Sequence, residues 1–232
     1  APAAGATRLP TGETPAKIDA MTNPLAAYSL AVEASLQGGN ATEHTYRPVL
    51  KTLIESINND ITATNEPRRE QYGAPDYIVS RAAAPIGYIE AKDIGKPLDV
   101  FEREEQLKRY RQGLHNLILT DYLEFRWYVW GEHRLTARLA RVAENGRLKA
   151  AKNGAEEVAA LLHEFLHSRV AVINNPRELA VRMAALARLL RAMILEIFAV
   201  ENSGGTLHAQ MEGFRRVLLH DLREEHFADM YA

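Results

Sequence analysis

Three side chains between residues 73 and 96 are spaced so that they could act on one substrate. Asp76 heads a run of β-forming residues, PDYIVSR, and Glu90 and Lys92 lie inside the next run, APIGYIEAKDI. Since side chains alternate between the two faces of a strand, Glu90 and Lys92 point to one side and Ala91 to the other, towards a packed layer. The short connection predicts a hairpin, with strands about 4.8 Å apart. Such a hairpin would bring Asp76 close to Glu90.

Two carboxylates at this spacing repel each other unless a cation lies between them. The chain has no cysteine, which excludes disulfides, thiolate catalysis and cysteine-bound zinc. Oxygen ligands favour a hard divalent ion, Mg²⁺ or alternatively Mn²⁺. Such an ion would bind a phosphate oxygen and lower the pKa of a bound water, while Lys92 orients that water or offsets developing charge. The three residues therefore predict metal-dependent hydrolysis of a phosphodiester.

The patterns on either side predict the elements that must position these side chains. Predicted helices are 25–36, 41–60 with Thr42 as N-cap, 98–115, 154–170, 175–202 and 206–232, and predicted strands are 61–67, 75–81, 84–94, 116–123, 124–131 and 135–142. Residues 131–134 are predicted to be a turn. This order predicts an α/β core of about 150 residues followed by an all-helical part.

The composition is that of a globular protein, with 47% apolar and 25% charged residues among 232. The net charge of −2 argues mildly against a free-standing DNA-binding domain, although four basic residues crowd residues 103–111. No apolar run approaches the length needed to cross a membrane. The N-terminal stretch, rich in Ala, Pro, Thr and Gly, lacks the pattern of a secretory signal, so we expect a flexible lead-in and a cytoplasmic location.

The pattern Pro75-Asp76, followed 14 residues later by Glu90-Ala91-Lys92, resembles the PD-(D/E)xK nuclease superfamily, which has the restriction-endonuclease-like fold. The resemblance implies that Asp76, Glu90 and the Ala91 backbone carbonyl are metal ligands and that Lys92 is the catalytic lysine. It also implies a mixed central β-sheet flanked by helices, and Mg²⁺ as the cofactor.

Two further features agree with this resemblance. Members often carry an acidic residue on the helix before the sheet, a role that Glu43 or Glu55 could fill; Glu43 is preferred because the helix start would lie nearer the active edge. Some branches carry a Gln-x-x-x-Tyr motif on the helix after the lysine strand, which stands here as Gln106 and Tyr110. Residues four apart share a helix face, which could touch the metal ligands or DNA. The neighbouring cations Lys108 and Arg109 are expected to support DNA contact.

Over most of its length the chain resembles the N-terminal nuclease region of single-polypeptide restriction-modification enzymes of the type ISP kind. The implied partners are double-stranded DNA, an adenine methyltransferase module and, in some members, a helicase-like translocase in the full-length polypeptide. One domain cuts one strand, so a double-strand break would require two copies meeting on DNA. The expected division is a lead-in at 1–23, the nuclease domain at 24–150 and a helical coupler at 151–232.

Other interpretations stay open at this level. Asp76 after a proline could be a turn residue, and Glu90 and Lys92 could be the solvated face of an edge strand. The sequence HEFLH, with His163 and His167, matches the zincin pattern literally, but no third ligand is evident downstream. A junction-resolving or repair nuclease of the same fold remains possible, as does a nuclease-like module that binds DNA or protein without cutting.

Overall fold

The computed structural model describes residues 15–39, 42–65, 75–168 and 176–232, and at its centre lies a mixed six-stranded β-sheet. The strands lie in chain order: β1 (Ile61–Asn65), β2 (Tyr77–Arg81), β3 (Ala84–Ala91), β4 (Asn116–Thr120), β5 (Glu124–Val129) and β6 (Glu132–Arg138). The β3–β4 pair is parallel and the other neighbouring pairs are antiparallel. A parallel pair needs a crossover, which α3 (Leu98–Phe101) and α4 (Glu105–Gly113) provide.

Helices cover both faces of the sheet. The larger core lies between one face and the helices α1 (Pro15–Gln37), α2 (Glu43–Ile57) and α5 (Gly154–His167). The smaller core lies on the other face, under α3, α4 and α6 (Pro176–Val200). Two last helices, α7 (Thr206–Val217) and α8 (Glu224–Tyr231), pack on the end of α6. The predicted α/β class, a mixed sheet flanked by helices with a helical C-terminal part, is confirmed.

The side-chain pattern of each strand matches the layers that cover it. Along β3, Ile89 and Ala91 enter the larger core, while Tyr88 packs against the smaller one. Every residue of β4, NLILT, is buried, because this strand has neighbours on both sides and helices on both faces. Because side chains alternate along β3, Glu90 faces the same side as α3 and α4. That side carries the smaller apolar core, where a carboxylate is unusual.

Several predicted boundaries are wrong, and tertiary contacts explain them. The helix predicted at 98–115 is two helices, because the loop residue Glu102 bonds to Arg126 and Tyr128 of β5. The helix predicted at 206–232 is also two helices, with a break between Val217 and Glu224. In this break Leu222 is buried against the end of α6, and its carbonyl accepts a hydrogen bond from Arg215. None of the helices that the structure describes has the length and apolarity to cross a membrane.

The ends of the α/β core also differ from the predicted division. Helix α1 begins at Pro15, so residues 15–23 are helical rather than part of the lead-in, and residues 1–14 lie outside the described residues. Helix α5 packs in the larger core through Val158, Leu162 and Phe165. The predicted boundary between residues 150 and 151 therefore assigns to the coupler a helix that the sheet needs for burial.

The β5–β6 turn is the two-residue segment Trp130–Gly131, not residues 131–134. Trp130 has φ 52° and Gly131 φ 78°, the left-handed pair that a tight hairpin requires and that Asn-Gly usually supplies. The Trp130 ring is held by the Arg182 guanidinium of α6, 3.8 Å from its centroid. Packing against α6 therefore outweighs the unfavourable backbone preference, which the local sequence could not indicate.

Gly87 lets β3 pass closely under α5, and this contact can be tested. A β-carbon at Gly87 would lie 2.5 Å from the Phe165 ring and 2.9 Å from the Asn116 amide nitrogen. We expect Gly87→Ala to lower the free energy of unfolding by about 1–3 kcal/mol in urea denaturation. Gly213→Ala on α7 is the control, since nothing lies within 4 Å and alanine favours a helix. Equal midpoints for wild type and Gly87→Ala would contradict this packing.

Candidate metal centre

The predicted carboxylates meet at one end of the sheet. Strands β3 and β4 are parallel and end side by side, and β2 runs the opposite way along β3. The pairing of Tyr77 with Ile89 puts the next residues, Asp76 and Glu90, across from each other just beyond the start of β2. Lys92 follows two residues after Glu90, so the sequence-predicted hairpin does bring all three residues to one place.

Both oxygens of the Asp76 carboxylate accept hydrogen bonds from described residues. Its Oδ2 accepts from the backbone N–H of Ala91 at 2.7 Å, which ties the start of β2 to the end of β3. Its Oδ1 accepts from Nη2 of Arg47, on α2, at 2.6 Å. Both side chains of this ion pair are largely buried, at 8% exposed for Arg47 and 13% for Asp76. The carboxylate is therefore fixed in orientation by the sheet on one side and by α2 on the other.

The Glu90 carboxylate is the most deeply buried acidic group of the site, with 6% of its side chain exposed. Its Oε1 accepts from Lys92 Nζ at 2.6 Å, whereas its Oε2 is buried and has no hydrogen-bond partner among the described residues. Burial raises the pKa of Glu90 to about 7; the charge of Asp76 adds to the shift, and Lys92 opposes it. A buried carboxylate oxygen without a hydrogen-bond partner lowers the stability of the folded protein, so this oxygen is the atom of the site that most needs a ligand.

The Lys92 ammonium lies between Glu90 and an aromatic ring of α3. Its Nζ is 5.3 Å from the Phe101 ring centroid, at a distance where a cation is attracted to the ring face. Its backbone N–H donates to the Thr120 carbonyl at 2.8 Å, which extends the β3–β4 ladder past the end of β3. The lysine is thus held by strand pairing as well as by its ion pair.

The Gln-x-x-x-Tyr pair lies on α4, on the side of the sheet that Glu90 faces. Gln106 Nε2 donates to the Tyr110 hydroxyl oxygen at 2.9 Å, so the two share a helix face as predicted. Tyr110 is buried, and burial followed by the charge of Glu90 raises the pKa of its phenol. Tyr110 therefore lies close enough to Glu90 for the carboxylate charge to affect its phenol.

The other predicted site residues have different surroundings. Glu43 is the first residue of α2, but its side chain lies outside the described residues. Glu55 accepts bonds from Lys51 and from the backbone of β1, so it is occupied away from Asp76. Lys108 is exposed and pairs with Glu105, and Arg109 pairs with Glu196 of α6. Arg109 therefore joins α4 to α6 in this structure, while its predicted contact with DNA stays a prediction.

Arg47 is the site residue that the sequence analysis missed. It lies one turn after Glu43 on α2, and its own carbonyl accepts a bond from the Tyr77 hydroxyl, so the helix start and β2 are fastened together. A basic residue next to a proline in EHTYRP gives no local indication of this role. The only available indication was the four-residue spacing from Glu43, which puts both positions on one side of the helix.

The residues of the site fit a hard divalent ion. The unpartnered Oε2 of Glu90 and the oriented carboxylate of Asp76 are oxygen donors of the type that Mg²⁺ and Mn²⁺ prefer. Within the described parts of the chain no group of three His, Asp or Glu side chains converges. An ion here would therefore have two carboxylates, the Ala91 carbonyl and several waters, and Mg²⁺ characteristically keeps waters of its own.

The two histidines of HEFLH do not form a comparable site. Their rings stack at 4.0 Å between centroids on α5, and Nδ1 of His167 donates to the His163 carbonyl. His163 is buried towards the larger core. Since the described residues contain no cluster of three such ligands, the zincin interpretation gains no support from the structure.

Glu90 should make metal-free stability depend on pH. Its folded pKa is raised, so the folded state holds a proton that the unfolded chain releases between the ordinary value near 4.5 and about 7. Its contribution is therefore fully present below that window and is lost as pH rises through it. In EDTA, the free energy of unfolding of wild type should fall relative to Glu90→Gln between pH 5 and pH 8, by up to ~3 kcal/mol.

The measurement is urea denaturation at several pH values. Glu132→Gln, an exposed position at the opposite end of the sheet, is the control and should follow the wild-type profile. Parallel profiles for wild type and Glu90→Gln would show that the Glu90 carboxylate titrates as an ordinary exposed acid.

Arg47 should oppose binding of a cation at Asp76. Arg47→Met keeps an unbranched side chain in the buried position and removes the positive charge, so Ca²⁺ or Mn²⁺ should bind on the order of 10-fold more tightly in calorimetry. Arg47→Lys keeps the charge and should stay near wild type. Weaker binding by Arg47→Met would instead mean that the arginine is needed to hold Asp76 in place.

Comparison with known proteins shows weak similarity to solved structures. No protein-family model and no curated protein matches the chain. Among solved structures, a chain described as "cryoEM structure DrdV-DNA complex" is similar with a TM-score of 0.45 and 18% sequence identity, covering 66% of this chain and 96% of that chain. At that level of similarity an activity does not follow from the likeness.

Proposed function

We propose that the chain is a divalent-metal-dependent DNA endonuclease domain of the PD-(D/E)xK type, with a restriction-endonuclease-like core. The observation that carries the proposal is the buried, unpartnered Oε2 of Glu90 beside Asp76, with Lys92 Nζ 2.6 Å from the other oxygen. Two carboxylates and a lysine gathered in a strand-end recess match the needs of phosphodiester hydrolysis.

Each residue of the site has a role in this proposal. Mg²⁺, when bound, supplies charge neutralisation at the phosphate and a lower pKa for a bound water. Asp76 and Glu90 hold the ion, and Lys92 orients the attacking water or offsets charge on the phosphate oxygens. Tyr110 and Gln106, which are bonded to each other, bound the site on the α4 side. Cleavage of the P–O3′ bond, with a proton passing to the departing oxygen, leaves a 5′-phosphate and a 3′-hydroxyl.

The biological setting that we propose is a larger restriction-modification enzyme. In that setting an adenine methyltransferase and, in some members, a translocase belong to the same polypeptide and supply sequence recognition. Double-strand breaks would then require two copies of this domain meeting on DNA. The helices α6 to α8, joined to the core by contacts such as Arg109 with Glu196, would couple the domain to those modules.

A second candidate is a nuclease-like module that binds DNA without cutting it. The observation that favours it is the charge balance of the site: Arg47 pairs with Asp76, and Lys92 pairs with Glu90. Two protein cations already face the two carboxylates, so the site is electrically neutral with no metal. Calorimetry separates the two candidates, because the non-cleaving module should show no divalent-ion binding that depends on Asp76 and Glu90.

The nuclease proposal predicts cutting of plasmid DNA that requires Mg²⁺ or Mn²⁺. Asp76→Asn, Glu90→Gln and Lys92→Met should each slow conversion of supercoiled to nicked plasmid by at least roughly 100-fold, since each removes a ligand or the charge beside the water. Gel analysis of single-turnover reactions gives the rates. Glu132→Gln, far along β6 from the site, is the matched carboxylate control and should cut like wild type.

Three outcomes decide against this function. Equal rates in wild type and the three site variants would assign any cutting to a contaminating nuclease. Absence of cutting, also within the full-length polypeptide, together with absence of divalent-ion binding that depends on Asp76 and Glu90, would favour the non-cleaving module. Preferential cutting of four-way junctions or of DNA ends would instead point to a resolving or repair nuclease with the same catalytic residues.

A further inference from the structure

A basic two-stranded ribbon lies at the same end of the sheet as Asp76 and Glu90. Strands β5 and β6 pair from Glu124 with Arg138, and β5 begins where β4 ends, so β6 ends beside the carboxyl ends of β3 and β4. The chain then forms β7 (Ala140–Val142) and β8 (Leu148–Ala150), an antiparallel pair. We call residues 139–151 the ribbon.

One face of the ribbon consists of three cations. Arg141 and Lys149 are directly opposite each other. Arg147 is two residues before Lys149, and its carbonyl accepts the N–H of Ala143, so the ladder continues and Arg147 shares their face. All three side chains are exposed. Leu148, between two of them, points the other way and packs against the larger core. The basic face is therefore turned to solvent by the alternation of the strand.

This arrangement of charge does not help the ribbon to fold. Like charges directly opposite each other on two strands repel and destabilise the pair. Within the part of the chain that the structure describes, no carboxylate forms an ion pair with Arg141, Arg147 or Lys149. Arg138, three residues before Arg141, is by contrast bound by Glu124. The cations are thus left available in a protein whose net charge is −2.

The base of the ribbon is fixed to the sheet and to two helices. The backbone N–H of Leu148 donates to Glu33 of α1 at 3.1 Å, and the N–H of Ala151 donates to the Leu139 carbonyl at 3.0 Å. Gly154, at the start of α5, approaches so closely that a β-carbon would lie 2.5 Å from the Arg138 carbonyl. The three cations therefore have a set position relative to the carboxylates.

We propose that the basic face of the ribbon binds the phosphate backbone of duplex DNA whose scissile phosphate lies at Asp76 and Glu90, an inference that rests on the proposed function. From β3 to the end of β6 is three strand spacings, about 14 Å. That distance is well within one helical turn of DNA, about 34 Å. Exposed arginine and lysine are the side chains that contact phosphates, and such contacts fix register without reading sequence. The ribbon would orient the duplex across the sheet end.

The test is the salt dependence of DNA affinity in EDTA, where hydrolysis is not required. The triple variant Arg141→Ala, Arg147→Ala, Lys149→Ala should bind a fluorescent 30-base-pair duplex at least about 10-fold more weakly in anisotropy, because three phosphate contacts are lost. The slope of log affinity against log salt should fall by about 2 to 3, close to 0.9 for each contact. Arg141→Lys, Arg147→Lys, Lys149→Arg keeps the charges and should retain the slope.

The matched control removes three exposed arginines elsewhere, Arg134→Ala, Arg177→Ala and Arg188→Ala, and should change the slope little. Circular dichroism and thermal midpoints check that all three triple variants are folded. An unchanged slope in the ribbon variant, or an equal loss in the control, would overturn the proposal. So would binding to anionic phospholipid vesicles that depends on the ribbon while duplex binding does not. If the salt slope depends on the ribbon but the protein never cuts DNA, the DNA-binding role of the ribbon stands and only the proposed nuclease activity is rejected.

Discussion

Two carboxylates on adjacent strands have to be buried together at the end of β3, and the rest of the site is arranged around that constraint. Glu90 is removed from water by the sheet and by α4, and one of its oxygens has no hydrogen-bond partner. Burial of a charge without full compensation is costly, so the group shifts towards its neutral form. The structure offsets part of this cost by placing a cation beside each carboxylate.

Those two cations come from different elements, and this distinguishes their roles. Lys92 follows two residues after Glu90, just past the end of β3, and is therefore close to it in the chain. Arg47 comes from α2, on the opposite side of the sheet end, and meets Asp76 only when the helix is docked. A second hydrogen bond, from the Tyr77 hydroxyl to the Arg47 carbonyl, also joins α2 to β2. Docking of α2 and formation of the site are therefore one event, and a divalent ion at the proposed site would have to compete with an arginine that is already in place.

The sequence predicts the local part of this arrangement and misses the long-range part. The β2–β3 hairpin, the shared side of Glu90 and Lys92 and the pairing of Gln106 with Tyr110 follow from strand alternation and helical spacing over a few residues. Arg47 and Asp76 are 29 residues apart, and no periodicity connects them. Helix α5 was assigned to the helical coupler for a similar reason, because its apolar face fits a helical bundle as well as a sheet.

Interrupted helices and the Trp130 turn have the same origin. In each case a contact between distant elements outweighs a local preference: Glu102 bonds to β5 where a helix was predicted to continue, and Trp130 accepts a left-handed backbone beneath Arg182. These exceptions lie on the α3–α4–α6 side of the sheet, where the smaller core is also found. That side depends on a few polar and aromatic contacts rather than on a broad apolar layer, so local patterns predict it least well.

The parallel β3–β4 pair explains why reactive groups gather at one end of the sheet. Parallel strands end together, so the backbone beyond β3 and the backbone beyond β4 meet, and the Lys92 N–H still pairs with Thr120 there. Because β5 and β6 then reverse direction in turn, β6 returns to this same end and delivers the chain into β7 and β8. The topology thus sets an acidic recess and a basic ribbon a few strands apart on one edge. The ribbon is a separate two-stranded sheet that begins where β6 ends, three strand spacings from β3, so the two groups of opposite charge could meet two places on a single polyanion.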